Sequence, residues 1–420
     1  MLRTVMMSLQ NYISPRLATL LIAIVIGVIS FVIFSRDLSS YSSYHGDEGF
    51  WIETGKWTVQ KFFIERDFSR EQWWTKELRS FGAVNPNLGK LIIGGSLCIN
   101  QHCHFSGLPK WDFSQPNAWN IKEGNAAPSD ELAIARSAIV LTTALSAIIL
   151  FTTTVITTRW SLLAGIFACI AFLSHPLVVT LGRQAMLDMP AILFSLLAIS
   201  IAYKSLISDT GKYTIIWFFI TALCSGLAVS TKLNAGLVLI AIIIIGIINT
   251  LIHRNSKAYL FLAINVIIPP LIFLALNPQL WPHVLNGLKA MWAFNQSLAD
   301  RRTIFTRDAL WTISDQVIAY YQRIPQNMFN LSLFILGLVL MIKDIKTTWP
   351  LLIYGLVSSL GVILWTPLNW NRYYLPAVPF YALALGFLIA KIIISYNNQT
   401  VHVVNKHNDF DSNLNTATKS

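Results

Sequence analysis

Charged residues are scarce in this sequence. They make up 12% of its 420 residues, while 54% are hydrophobic and the mean hydropathy is +0.56. Soluble globular domains carry about 25% charged residues, so the composition argues against that class. The 31 basic residues outnumber the 20 acidic ones, but they are spread over many loops. We therefore expect no nucleic-acid partner, and we attribute the net charge of +11 to orientation in a membrane.

Two other features are missing. The first apolar run, 17–34, is too long for the hydrophobic region of a signal peptide, and no small-residue cleavage site follows it. We expect it to be a retained first helix. No internal repeat is visible, although secondary transporters usually contain inverted repeats. A secondary transporter or lipid flippase is therefore the alternative to an enzyme rather than the first choice.

Cysteine is also rare, with four residues in the chain. Cys169 and Cys224 lie within apolar runs and are expected to be packing residues. Cys98 and Cys103 lie outside the apolar runs, with His102 nearby. A disulfide or two free thiols are favoured there over a metal site, because so short a loop rarely supplies four tetrahedral ligands.

Long apolar runs are what the sequence does have. Each is long enough to cross a hydrocarbon core about 30 Å thick as a helix. The pattern predicts an all-α polytopic membrane protein with about ten transmembrane helices. The predicted spans are 17–34, 134–156, 162–181, 191–206, 213–229, 235–251, 259–276, 328–342, 351–365 and 374–394.

Basic residues orient these spans. They are concentrated in the short loops on the side of the N-terminus, which predicts that the N-terminus is cytoplasmic. The residues on that side are Arg3, Arg16, Arg159, Lys204, Lys212, Arg254, Lys257, Lys343, Lys346, Lys391, Lys406 and Lys419. Two long segments, about 35–132 and 277–327, then lie outside. We expect one transmembrane domain, 1–394, and a disordered cytoplasmic tail, 395–420.

The first outer segment is rich in aromatic residues mixed with charges, such as Phe50, Trp51 and Trp57. This composition suits interfacial helices lying in the headgroup region. A small soluble domain folded above the membrane is the alternative.

Ionisable residues cluster at the predicted outer ends of the helices. An ionisable residue close to hydrocarbon is costly, so each is either a functional candidate or an anchor at a helix end. Carboxylates with cations indicate a reaction on an anionic substrate, in which a carboxylate accepts a proton from a hydroxyl and cations hold a phosphate. For Asp188, a salt bridge to Arg183 is the alternative to a catalytic role. The candidates are Asp47, Glu48, Arg136, Arg183, Asp188, Lys232 and Arg372.

Five segments resemble motifs of one enzyme family. HGDEGFW at 45–51 resembles the Asp-Glu first-loop motif of protein O-mannosyltransferases and lipid A aminoarabinose transferases, and NPNLGK at 85–90 is similar to their His-Pro-Pro-Leu-x-Lys segment. GRQAMLDMP at 182–190, GLAVSTK at 226–232 and NRYYLP at 371–376 resemble three further motifs of these enzymes. The five occur in the family's order, each at a predicted outer helix end.

This resemblance implies a GT-C-like bundle and a glycosyltransferase. Such an enzyme transfers a sugar from a polyprenyl phosphate, undecaprenyl or dolichyl, to an acceptor hydroxyl at the extracytoplasmic face, with inversion. The acceptor would be a lipid, a glycan or a protein. Carried over, Asp47 and Glu48 are the catalytic and supporting carboxylates, and Asp188 supports the site. The donor phosphate is held by Lys90, Arg136, Arg183, Lys232 and Arg372.

The chain also departs from the family. Asn85 and Asn87 stand where the family often has His and Pro, which leaves the role of Lys90 open. The second outer segment is too short for the β-trefoil domain of eukaryotic members, and no soluble domain is expected after the last span. We therefore expect a compact bacterial member in the inner membrane. No metal ligands are assigned and no cofactor is required, although the sequence leaves a divalent metal ion open.

Overall fold

The protein is described by a computed structural model that covers residues 14–75, 77–207, 214–300, 309–366, 368–393 and 395. Helices dominate these residues. They are numbered α1 to α16 in chain order: α1 Pro15–Phe34, α2 Asp47–Val59, α3 Leu88–Ile99, α4 Asn117–Lys122, α5 Ser129–Thr157, α6 Leu162–Leu173, α7 Pro176–Leu181, α8 Asp188–Ile207, α9 Thr214–Thr231, α10 Gly236–His253, α11 Ser256–Leu276, α12 Val284–Asp300, α13 Ile313–Arg323, α14 Met328–Lys343, α15 Ile345–Trp365 and α16 Asn371–Ile393.

Eight of these helices are long and apolar enough to cross a membrane: α1, α5, α8, α9, α10, α11, α15 and α16. Each coincides with one of the ten predicted spans. Their outward faces are apolar and exposed, as on α1, where Leu20, Ile24 and Val28 are more than half exposed. Because such faces are stable against lipid rather than water, the structure confirms an all-α polytopic membrane protein.

Neither of the other two predicted spans is a single helix long enough to be counted as a span. The run 162–181 divides into α6, of 12 residues, and α7, of six, because Pro176 has no N–H and disfavours helical geometry at the residue before it. The run 328–342 is α14, of 16 residues, and it is bent by 94° from α13. If α13 and α14 together form one broken span, the described residues contain nine spans rather than ten.

The first outer segment is packed into the protein. Every residue of α2 is buried, including the aromatic residues that suggested an interfacial helix. The helix lies so close against α3 that a Cβ atom at Gly94 would be 2.1 Å from the carbonyl oxygen of Gly55. Only beyond its C-terminus do apolar side chains become exposed, at Phe63 and Ile64.

Helix α1 packs against α5 along a strip of small residues. Thr19, Ala23, Gly27 and Ser30 are buried on that face of α1. A Cβ atom at Gly27 would lie 2.5 Å from the side chain of Ile148, so the helices approach closely there. Membrane helices associate in this way because small residues allow close van der Waals contact.

The functional candidates gather at one end of the bundle. The N-termini of α2, α8 and α16 meet there with the C-terminal end of α9, as the ion pairs described below show. Cys98, in the last turn of α3, forms a disulfide with Cys103 in the loop that follows. The predicted tail, 395–420, lies outside the described residues apart from Ser395.

Candidate active site

The centre of the site is an ion pair between the two ends of the chain. Asp47 opens α2 and Arg372 lies in the first turn of α16, and Nη1 of Arg372 donates a hydrogen bond to Oδ2 of Asp47. The side chains are 10% and 20% exposed, so the pair is accessible at one edge. An acidic residue is also favoured at a helix N-terminus by the helix dipole.

The charges around Asp47 set its protonation state. Burial raises the pKa of Asp47, but Arg372, His45 and Lys232 together outweigh this effect, so the pKa is lower than usual. Asp47 is therefore an anion at neutral pH. It is a hydrogen-bond acceptor and a weak base.

A second ion pair lies beside the first. Lys232 occupies the break between α9 and α10, and its Nζ is 2.5 Å from Oδ1 of Asp188, at the start of α8. Lys232 also acts electrostatically on Asp47. The site thus contains two carboxylates and two cations, and both cations are partly exposed. Because Asp188 pairs with Lys232, the alternative in which Asp188 forms a salt bridge with Arg183 is wrong.

Arg372 is held by aromatic rings as well as by Asp47. Its guanidinium lies 4.8 Å from the ring centroid of Trp370 and 5.9 Å from that of Tyr373, and the two rings are stacked. Cation–π contacts of this kind are worth about 0.5–2 kcal/mol. They fix the guanidinium while leaving part of it accessible.

Glu48 and Arg136 form a separate, completely buried clamp. Nε and Nη2 of Arg136 each lie 2.8 Å from a carboxylate oxygen of Glu48, and Nη1 donates to the carbonyl oxygens of Leu38 and Ser40. The carboxylate also accepts hydrogen bonds from the backbone N–H groups of His45, at 2.9 Å, and Ala185, at 2.7 Å. The clamp therefore joins α5 to the motifs at 45–51 and 182–190. Its buried polar groups form hydrogen bonds within the protein.

The other two cations predicted for the site lie apart from the central pairs. Arg183 is partly exposed and donates to the carbonyl oxygen of Arg36. Lys90 is fully buried, and its Nζ donates to the carbonyl oxygens of Gly82 and Asn85. Burial alone lowers the pKa of Lys90 well below its usual value. Its contacts therefore indicate that it holds the turn before α3.

Two residues that hold the site were not among the candidates predicted from the sequence. Asn87 donates to the carbonyl oxygen of Leu276 and to Gln279, and its backbone N–H bonds to Asn277. These bonds fasten the start of α3 to the end of α11. The only indication of this role in the sequence was that Asn87 departs from the family motif. His45 opens the first motif, and its Nδ1 accepts a hydrogen bond from the Asp47 N–H at 3.1 Å.

The site contains no obvious metal centre. Across the residues that the structure describes, no group of three or more His, Cys, Asp or Glu side chains is arranged to hold a metal ion. His102 lies beside the disulfide, with its nitrogens 3.8 Å and 3.7 Å from the carboxylates of Asp130 and Glu131.

Comparison with solved structures identifies the fold. The chain is similar to ArnT from Cupriavidus metallidurans, solved bound to undecaprenyl phosphate, with a TM-score of 0.51 and 12% sequence identity over 90% of this chain. It covers 60% of the ArnT chain. The Pmt1–Pmt2 protein O-mannosyltransferase complex of S. cerevisiae, solved with its sugar donor, matches with a TM-score of 0.46 and 17% identity, over 62% of this chain and 33% of that one.

Sequence comparison gives the family. No curated protein matches the chain. The family model described as dolichyl-phosphate-mannose-protein mannosyltransferase matches residues 77–286, which is half of the sequence. This range contains three of the five motifs, all except the first and the last. With its GT-C bundle and the paired charges at one end, the chain belongs to the dolichyl-phosphate-mannose-protein mannosyltransferase family.

Proposed function

We propose that this protein transfers a sugar from a polyprenyl phosphate to an acceptor hydroxyl, with inversion at the anomeric carbon. The observation that carries the proposal is the pair of adjacent ion pairs, Asp47–Arg372 and Asp188–Lys232, with both cations partly exposed. Family membership and the fold shared with ArnT support it. The protein acts as one transmembrane transferase domain, 1–394.

In the proposed reaction, the acceptor oxygen attacks the anomeric carbon on the face opposite the phosphate. The bond from that carbon to the phosphate oxygen breaks, and its electron pair leaves with the phosphate. The proton of the acceptor hydroxyl passes to the carboxylate of Asp47. One base is sufficient here, without a general acid, because the departing phosphate requires little protonation.

Arg372 and Lys232 hold the donor phosphate and stabilise its charge as it leaves. A phosphate competes with Asp47 for the Arg372 guanidinium, which leaves a carboxylate oxygen of Asp47 available to the acceptor. Arg183 contributes from the rim. Lys90 and Arg136 support the site indirectly, because their hydrogen bonds go to protein groups rather than towards the central pairs.

The reaction takes place at the extracytoplasmic face, with the N-terminus in the cytoplasm. The excess of basic residues in short loops on the N-terminal side supports this orientation. The protein would be in the inner membrane of a bacterium, and its acceptor is a lipid, a glycan or a protein.

The test is transfer from a polyprenyl-phosphate sugar by purified protein with Asp47→Asn. We expect transfer to be lost while undecaprenyl phosphate still binds, since the amide cannot accept the proton. Asp37→Asn is the matched control, because Asp37 is exposed and has a positive φ that Asn also tolerates. Full transfer activity in Asp47→Asn would refute the mechanism.

A second experiment compares the roles of Lys232 and Lys90 in donor binding. Lys232→Met should raise the KM for the donor at least tenfold, whereas Lys90→Met should affect stability more than donor KM. Equal effects on donor KM would contradict the assignment of the phosphate to Lys232.

A further inference from the structure

A small cavity lies between the transmembrane helices next to Asp188. It has a volume of about 20 Å³ and is bounded by α8, α10, α15 and the start of α16. Its lining is mixed, with apolar residues interrupted by five polar ones. The polar residues are Asp188, Ser195, Asn234, Tyr354 and Ser358.

Two polar atoms of the lining residues are buried without a hydrogen-bond partner. They are Oδ2 of Asp188 and Oγ of Ser358. The Tyr354 hydroxyl, which belongs to the same lining, interacts with Ser358 but does not form a hydrogen bond of good geometry with its Oγ. Asp188 and Ser358 are 4% and 1% exposed. Leaving such a group unpaired costs about 1–3 kcal/mol, and more when it is charged. Two of them beside one cavity indicate a ligand that supplies hydrogen bonds.

The volume and the charges indicate water as that ligand. A single water requires about 10–15 Å³ of cavity volume and two to four polar partners. The cavity is large enough for one water, and the residues that carry the two unpaired oxygens are in its lining. A metal cation is disfavoured because the other oxygen of the same carboxylate is already 2.5 Å from the ammonium of Lys232, and Arg372 lies within electrostatic range of Asp188.

We propose that the cavity holds one ordered water that donates to Oδ2 of Asp188 and hydrogen-bonds to Oγ of Ser358. Ser358 is then a positioning residue for the donor site. It acts through the water on Asp188, and through Asp188 on Lys232, which faces the donor phosphate.

The physical reason is that a carboxylate has two oxygens to satisfy. With the water in place, Oδ2 is solvated and Oδ1 remains directed at Lys232. Without it, the carboxylate is stable only if it rotates or shares Lys232 between both oxygens, and either change moves the ammonium. The binding of water does not depend on the proposed reaction, but the consequence for the donor does.

The experiment compares Ser358→Ala with Ser359→Ala. Ser359 is the matched control because it is the next residue on the same helix. Its hydroxyl makes a hydrogen bond to Tyr320 at 2.8 Å and is not part of the cavity lining. A merely structural hydroxyl would give the same result at both positions.

We expect Ser358→Ala to raise the KM for an undecaprenyl-phosphate sugar about fivefold, corresponding to roughly 1 kcal/mol or one hydrogen bond. Its kcat should change by less than a factor of two. Ser359→Ala should leave both constants unchanged. A donor KM that is equal in the two variants would overturn the role of Ser358.

The water is tested independently of turnover by an experimental map of the full-length protein that resolves ordered water. A peak within hydrogen-bond distance of both Oδ2 of Asp188 and Oγ of Ser358 supports the proposal. An empty cavity, or a peak with the short distances of a coordinated cation, overturns it. These outcomes are readable even if the protein proves not to transfer sugar.

Discussion

Because the Glu48–Arg136 ion pair is buried, we predict that replacing both residues lowers the free energy of unfolding less than replacing Arg136 alone. Arg136→Met leaves the carboxylate of Glu48 buried and without its counter-charge. Removing one partner of a buried ion pair costs about 3–5 kcal/mol, because the remaining charge is uncompensated. We expect a loss of stability of that size, since both side chains are at most 2% exposed.

The double variant Glu48→Gln/Arg136→Met removes both charges. The glutamine oxygen still accepts one of the backbone hydrogen bonds, from His45 or Ala185, while the second N–H loses its acceptor at a cost of about 1–3 kcal/mol. The double variant should therefore be more stable than Arg136→Met alone, by about 1–2 kcal/mol.

The assay is reversible unfolding of the purified protein in mixed micelles, titrated with sodium dodecyl sulfate. Lys391→Met is the control, because Lys391 pairs with Asp344 while both side chains are about one-third exposed. Exposed pairs contribute about 0–1 kcal/mol. The reasoning fails if Arg136→Met costs no more than Lys391→Met, or if the double variant is less stable than the single one.

Two other substitutions have clear expected outcomes. Arg372→Gln removes the charge that most lowers the pKa of Asp47, so that pKa should rise. The acidic limb of the pH profile of residual kcat/KM should then move to higher pH. An unchanged acidic limb would mean that Asp47 does not control it. Gly94→Ala places a methyl group against the backbone of Gly55 and should lower both the unfolding midpoint and activity, measured by thermal melting and transfer assays. Gly95→Ala is the control, with open space around its Cβ, and should match the unsubstituted protein; equal losses in the two variants would contradict the close contact.

The sequence was a good guide to the spans and the fold. Hydrophobic length alone located eight helices, because lipid requires each crossing segment to satisfy its own backbone. It failed at 162–181, where Pro176 interrupts an otherwise uniform apolar run. Hydropathy averages over such a residue, whereas backbone hydrogen bonding does not.

The site was harder to predict, because its pairings depend on packing between distant segments. The motifs brought out Asp47 and Arg372, which are in contact, but could not show which cation pairs with which carboxylate. Glu48 and Lys90 have charged side chains like the others, and only burial separates them from the accessible pair. The aromatic residues of α2 were misleading because composition is the same for a buried helix as for an interfacial one. The available sign that α2 is buried was the pair of glycines, Gly55 and Gly94, which allow α2 and α3 to approach closely.

The contact between Asp47 and Arg372 joins residues 325 positions apart. A ribosome releases the first of them long before the second, so the growing chain cannot form this contact until the helix Asn371–Ile393 has been made. Formation of the ion pair therefore depends on synthesis having passed Arg372.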